Sequence, residues 1–170
     1  MGEVCPFDRK RCVLNVMFLS GRDDWETPQD LFDTLNIEFN FTLDVCATAE
    51  TTKCSKFFTP KEDGLTQDWT GEVVFCNPPY GRKQDAWIRK CLEHGKNGGV
   101  AVMLLPVRTS TARFHDLILG KSEIRFFRGR LKFGKAKSCA PFPSMLVIYR
   151  ANKENTFSGI SKNGVKPKEE

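Results

Sequence analysis

No Cys-x-x-Cys pair occurs in this 170-residue chain, although it holds seven cysteines, and only His94 and His115 supply imidazoles. Zinc sites are assembled from those residue types at short spacings, so no metal is expected. The cysteine count is odd, and Cys46, Cys76 and Cys91 stand among apolar residues. They read as small core side chains with reduced thiols. Long apolar runs are also missing. The longest, Val100 to Pro106, is strand-sized and far below the roughly 20 residues that a membrane helix needs. Residues 13–19 follow the basic Arg9-Lys10-Arg11, but they are few, are interrupted by Asn15 and lack a small-x-small cleavage site. They do not read as a secretion signal, and a cytoplasmic location is expected. There is no internal repeat. The length fits a single domain whose core needs no covalent staples.

Acidic residues are nearly absent from one stretch. The whole chain carries a net charge of +5. Residues 121–140 contain Lys121, Arg125, Arg128, Arg130, Lys132, Lys135 and Lys137 against Glu123 alone, so this segment holds more than the net charge of the whole. A concentrated basic patch is the electrostatic footprint of a nucleic-acid binder.

What is present is an alternation of strand-like and helix-like segments. Residues 1–20 read as an irregular leader, 21–150 as the domain, and 151–170, polar and lysine-rich, as a disordered tail. Thr27 is expected to cap a first helix, with Pro28 at its first position and Leu31, Phe32, Leu35 and Ile37 on its apolar side. Strands are expected at 39–45, 56–59, 72–76, 100–105, 123–127 and 143–149, and further helices at 83–97 and 110–119. The class is α/β with a mostly parallel sheet. The last two strands have no helix between them, so an antiparallel pair is expected at the C-terminal end.

The sharpest feature is Asn77-Pro78-Pro79-Tyr80 directly after the apolar Val73-Val74-Phe75-Cys76. A strand's carboxyl end is where open α/β sheets place ligands. Two prolines fix the turn and remove two N–H donors, which frees nearby carbonyls to face a pocket. Asn77 offers a side-chain carbonyl and Tyr80 a flat face, the equipment for holding an exocyclic amine on a planar ring. Asp44 ends an earlier strand, Asp68 precedes the strand that leads to Asn77, and Thr27 and Pro28 open the first helix. His115 reads as a packing or helix-surface histidine rather than a base.

Taken in order, Trp25-Glu26-Thr27-Pro28, Leu43-Asp44-Val45-Cys46-Ala47, Asp63-Gly64-Leu65, Asp68-Trp69, Asn77-Pro78-Pro79-Tyr80-Gly81, residues 104–109, residues 125–133 and Ala140-Pro141-Phe142-Pro143-Ser144 resemble the phage-type DNA N6-adenine methyltransferases. The resemblance runs from about Ser20 to Arg150. It implies a Rossmann-like methyltransferase fold, S-adenosylmethionine as cofactor, double-stranded DNA as partner and, for a phage-encoded chain, the host cytoplasm as location. It implies that Thr27, Pro28 and Asn77 touch the cofactor, that Asp44 sits by its methionine end and that Asp68 sits by its adenine. The wider group has a glycine-rich turn after the first strand. Here Val45-Cys46-Ala47-Thr48-Ala49 carries no glycine, and Glu50 or Asp63 is left as the second acidic position.

The expected chemistry follows. The amine of adenine is conjugated with its ring and is a poor nucleophile. The Asn77 side-chain oxygen and the Pro78 carbonyl would accept its two N–H bonds and free the lone pair for in-line attack on the methyl group, with Pro79 stiffening the turn. Positioning would carry most of the catalysis. A base stacked in a duplex is out of reach, so the adenine would be flipped out onto Tyr80. Arg125, Arg128, Arg130, Lys132, Lys135 and Lys137 would hold phosphates, or Arg128-Gly129-Arg130 would reach into a groove. An RNA or a protein glutamine amide poses the same chemical problem and stays open as a substrate, as does a decayed nucleic-acid-binding domain without activity.

Overall fold

In the computed structural model of the protein, the described residues are 25–81, 83–134, 136, 138–151 and 156–165. The expected leader, together with Lys135 and Lys137, lies outside them. Pro28, with φ −56° and ψ 137°, is the N-cap of helix α1 (Gln29–Phe39), and no side chain caps the helix. The N-cap therefore falls one residue later than the sequence suggests, and the Thr27 hydroxyl is not engaged in capping. Leu31, Leu35 and Phe39 recur at helical spacing and are buried, whereas Ile37, expected on the same side, is 83% exposed. Asn40 closes the helix in the left-handed region at φ 53°, a conformation its short polar side chain tolerates. Phe39 thus belongs to the helix, and the extended segment after it is shorter than expected.

Seven strands form one sheet: β1 (Leu43–Asp44), β2 (Lys56–Phe57), β3 (Val73–Cys76), β4 (Val100–Pro106), β5 (Glu123–Phe127), β6 (Ser144–Arg150) and β7 (Phe157–Ile160), in the order β2-β1-β3-β4-β6-β5-β7. The first four are mutually parallel, β6 runs antiparallel to both β4 and β5, and β7 runs parallel to β5. This is the expected mixed α/β sheet with an antiparallel pair, consistent with a Rossmann-like methyltransferase fold.

Side chains of the central strands alternate strictly between two cores. Val102, Leu104, Leu146 and Ile148 pack with α1, whereas Ala101, Met103, Leu105, Met145, Val147 and Tyr149 pack with helix α2 (Gln84–Lys96). Coverage on both faces explains why β4 reads as an unbroken apolar run. Gly95 of α2 lies so close to β6 that a Cβ there would sit 2.7 Å from that of Tyr149. The segment expected as a helix at 110–119 contains a π-helical turn, Phe114–Ile118. Among the described residues no helix is long and apolar enough to cross a membrane.

β7 corrects the expectation of a structureless tail. Its register with β5 runs from Ile124↔Phe157 to Phe127↔Ile160, and Ile160 is buried in the α1-side core. Polar composition hid the strand because the open edge of β5 supplies its hydrogen bonds and one apolar side chain suffices to anchor it.

Candidate active site

The parallel sheet puts the carboxyl ends of β1, β3, β4, β5 and β7 on one edge. Asp44 pairs in register with Phe75, two residues before Asn77, so the two strands deliver Asp44 and Asn77 side by side. Between them opens a cavity of about 540 Å³, whose walls include Thr27, Asp44, Lys53, Asn77, Pro79 and Phe133. Thr27, Asp44 and Asn77, named from sequence, are thus brought together.

The amide of Asn77 is clamped. Its Nδ2 donates to the Trp25 carbonyl oxygen and, at 3.0 Å, to the Thr27 hydroxyl. A carbonyl only accepts, so this edge of the amide must be the donor edge. Oδ1 is then turned the other way, buried and without a hydrogen-bond partner among the described residues. Unmatched buried acceptors are rare and costly in folded proteins, and this one belongs to a residue that lines the cavity. In the adjoining turn the Pro79 carbonyl accepts from Gly81 N–H at 3.0 Å, while Pro78 is buried.

Asp44 is 2% exposed. It accepts backbone N–H groups from Lys53 (3.1 Å) and Cys46 (3.4 Å). Burial pushes its carboxyl up to about 6, and those two bonds and the Lys53 charge offset only part of that rise. The Lys53 ammonium is engaged with Glu26 at 3.3 Å and with Gln29 at 3.1 Å. Lys53 was not singled out from sequence, and Glu26 was named only within the Trp25-Glu26-Thr27-Pro28 motif. They are 27 positions apart and carry no local pattern that announces the pair.

Tyr80 is half-buried, with its hydroxyl 3.5 Å from the Leu104 carbonyl oxygen. Burial raises its phenol well above the ordinary range, so it stays neutral. Its ring lies 6.5 Å from that of Trp25 at an interplanar angle of 20°, and edge-on to Phe142 at 5.5 Å. Phe133 meets both Trp25 and Tyr80 edge-on. These four rings form an aromatic wall beside Asn77.

Other named residues lie elsewhere. Pro28 caps α1 and is not part of the cavity wall. Asp63, at φ 51°, accepts Leu65 N–H at 3.2 Å in a local turn. At the next position Gly64 approaches the chain after β1 so closely that a Cβ would sit 2.2 Å from the Val45 carbonyl oxygen. Asp68 accepts both the N–H (2.9 Å) and the hydroxyl (2.7 Å) of Thr70. It borders a separate cleft beside the first residues of β3 and β4, at the opposite edge of the sheet. Glu50 is bound to Thr48 at 2.7 Å. His115 is exposed on the π-helical turn.

Of the basic residues, Arg128, Arg130 and Lys132 are exposed on the segment after β5, at the same edge as Asn77. Arg108, after β4, and Lys162, after β7, are exposed on that edge as well. Arg125 is a correction. It is 0% exposed, gives two bonds of 2.6 Å to Glu38, and bonds Glu123 at 2.7 Å. Its guanidinium is not presented to phosphates, because the charge count along the strand overlooked a partner on α1, 87 positions away. The loop carrying the exposed cations is pinned by the buried Leu131, Phe133 and Ala140, and Gly134 N–H donates to the Glu26 carbonyl oxygen at 2.8 Å. The edge is thereby divided: a buried carboxylate at β1, a clamped amide at β3 and exposed cations beyond β4.

Residues 17–169 match the family described as DNA N-6-adenine-methyltransferase (Dam). The chain is 33% identical over 138 residues to the DNA N-6-adenine-methyltransferase of Haemophilus phage HP1, a match covering 76% of this chain and 80% of that one. It is 32% identical over 105 residues to the DNA N-6-adenine-methyltransferase of Escherichia phage T1, covering 61% of this chain and 44% of that one. A match over nearly the whole length, on a sheet of the expected topology, places the chain in the DNA N-6-adenine-methyltransferase (Dam) family.

Proposed function

We propose that the protein methylates the N6 amine of adenine in double-stranded DNA, with S-adenosylmethionine as donor and the target base turned out of the helix. The buried, unpartnered Oδ1 of Asn77 carries this reading. An exocyclic amine donates hydrogen bonds, and this oxygen is an acceptor held in place before any ligand arrives. Among the described residues no N–H is bonded to the Pro78 carbonyl, which is the second acceptor of the pair. With both N–H bonds directed at fixed oxygens, the nitrogen lone pair turns away from conjugation and toward the donor.

The cavity suits the cofactor. Its size falls within the range of small-molecule pockets, and a buried carboxylate held by two backbone N–H groups fits a ligand with a cationic end. Asp44 would hold that end, with the hydroxyls of Thr48 and Thr51 on the same wall. When bound, S-adenosylmethionine supplies a methyl group on a sulfonium, already activated for transfer. Asp63 and Asp68 take no part in holding it in this reading. The aromatic wall supplies flat surface for an extruded base. Arg128, Arg130 and Lys132 supply phosphate contacts that hold the duplex over β4 to β7.

The test is transfer of label from S-adenosylmethionine to unmethylated DNA, with RNA and protein in parallel and the nucleosides identified by mass. N6-methyladenine in the DNA digest is expected. Label confined to RNA or protein would overturn the substrate.

Two further outcomes are expected. Asp44 ionises near pH 6 in the free protein, and a cation favours its ionised form. Its raised value means that ionisation opposes folding as pH rises from about 4 to about 6, and a bound cation offsets that cost. Affinity for S-adenosylmethionine should therefore fall about tenfold per pH unit below pH 6. Titration calorimetry from pH 5 to 7 on wild type and Asp44→Asn checks this, since the variant should lose the slope. For DNA, replacing Arg128 or Arg130 with glutamine should reduce the slope of log affinity against log salt by about 1 per residue. Fluorescence anisotropy across a salt series measures it, and unchanged slopes would remove these residues from the interface.

A further inference from the structure

We propose that Thr27 is a positioning residue for methyl transfer: its hydroxyl takes the second hydrogen of the Asn77 amide and steadies it in the orientation, set by the Trp25 carbonyl, that presents an acceptor to the target amine. The inference rests on the methyltransferase reading above. An asparagine amide has an acceptor edge and a donor edge, and half a turn about its last side-chain bond exchanges them with little change in shape. An amide showing Nδ2 to an amine would oppose donor to donor. The choice between the two states is made from outside β3 by the Trp25 carbonyl, which can only accept; the Thr27 hydroxyl takes the second hydrogen of Nδ2 and holds the amide in that state.

The surroundings hold that hydroxyl still. Thr27 is 3% exposed and is followed by Pro28, whose ring fixes the backbone as it enters α1. The Glu26 carbonyl on the other side is bonded to Gly134 N–H at 2.8 Å. Because Pro28 occupies the N-cap, the hydroxyl serves Asn77 and not the helix. Threonine at this position therefore connects α1, the loop after β5 and the reacting edge of Asn77.

Thr27→Val keeps the shape and removes the hydroxyl. The Trp25 carbonyl still favours the correct orientation, so kcat should fall about tenfold, the size of one hydrogen bond, and not vanish. The KM for DNA and the Kd for S-adenosylmethionine should stay within about threefold, and Thr27→Ser should recover most of kcat. In an Asn77→Ala background, Thr27→Val should add no further loss in single-turnover rate, because the residue acts through Asn77. Wild-type kcat in the valine variant, a serine variant as slow as valine, or a loss confined to cofactor Kd would each overturn the proposal. A readout free of activity covers a valine variant that fails to fold and a wild type that transfers no methyl group. In the side-chain amide NMR signals of Asn77, wild type and Thr27→Ser should show two inequivalent, slowly exchanging protons. Fast exchange in wild type would overturn the clamp. Slow exchange with no methyl transfer would keep the clamp and refute the reaction.

Discussion

Asn77→Ala is expected to lower turnover by about 10³-fold while the Kd for S-adenosylmethionine stays within about threefold. The expectation follows from the division of work along the sheet edge. In the proposed reading Asp44, at β1, takes the cofactor's cationic end, whereas the unpartnered oxygen of Asn77 takes the amine. Its interaction is strongest when the nitrogen becomes positively charged, which happens only as the methyl group is transferred. An interaction made mainly in the transition state is lost from kcat and not from ground-state affinity. Single-turnover kinetics beside titration calorimetry separates the two. Turnover near that of wild type would refute the assignment, and a matching loss of cofactor affinity would relocate Asn77 to cofactor binding.

The nearly isosteric Asn77→Asp should fail almost as badly. Asparagine fits because its Nδ2 gives both hydrogens to fixed oxygens while Oδ1 stays free. A carboxylate has no hydrogen to give, so one of its oxygens would face the Trp25 carbonyl. The site needs an acceptor toward the substrate and a donor toward the protein on one small planar group, and only an amide supplies both.

How much of this was legible in the sequence depended on the range of the interaction concerned. Asn77 was legible because its context is local: an apolar strand, two prolines and an aromatic ring in eight residues. Asp44 was legible because strand ends in parallel sheets share an edge. Asp63 and Asp68 lie in local turns and do not line the cavity between Asp44 and Asn77, a placement that their local sequence does not announce. Aspartates in turns accept neighbouring N–H groups, and these two are occupied by Leu65 and Thr70. The role of Thr27 was half legible. Threonine before proline announces a helix start, but a one-residue shift transferred its hydroxyl from capping to Asn77, 50 positions away. The Lys53–Glu26 pair and the burial of Arg125 depend on contacts across the fold, which composition and spacing do not encode.

Arg125→Ala is expected to destabilise the protein by about 3–5 kcal/mol, the range for breaking a buried ion pair from one side. At about 2–4 °C per kcal/mol for a chain of this size, the melting temperature should drop by roughly 10 °C, measurable by calorimetry. The guanidinium lies between Glu38 of α1 and Glu123 of β5, and Glu123 is bonded in turn to Arg150 of β6. Burial alone would raise the Glu123 carboxyl, yet the bonds from Arg150 and Arg125 outweigh it and hold the group down at about 2. A depressed carboxylate contributes stability that is present above its unfolded value, near 4.5, and is lost as pH falls toward 2. In Arg125→Ala that acid-sensitive contribution should shrink, so the variant's deficit narrows between pH 5 and pH 3. The salt slope for DNA should remain that of wild type, in contrast to Arg128 and Arg130. Stability retained together with a reduced salt slope would mean that Arg125 turns outward to meet phosphate, as a count of charges along the strand suggests. Stability lost with the slope intact would establish it as the tie that holds α1 to the sheet, and so holds the chain entering α1 at Thr27 against Asn77.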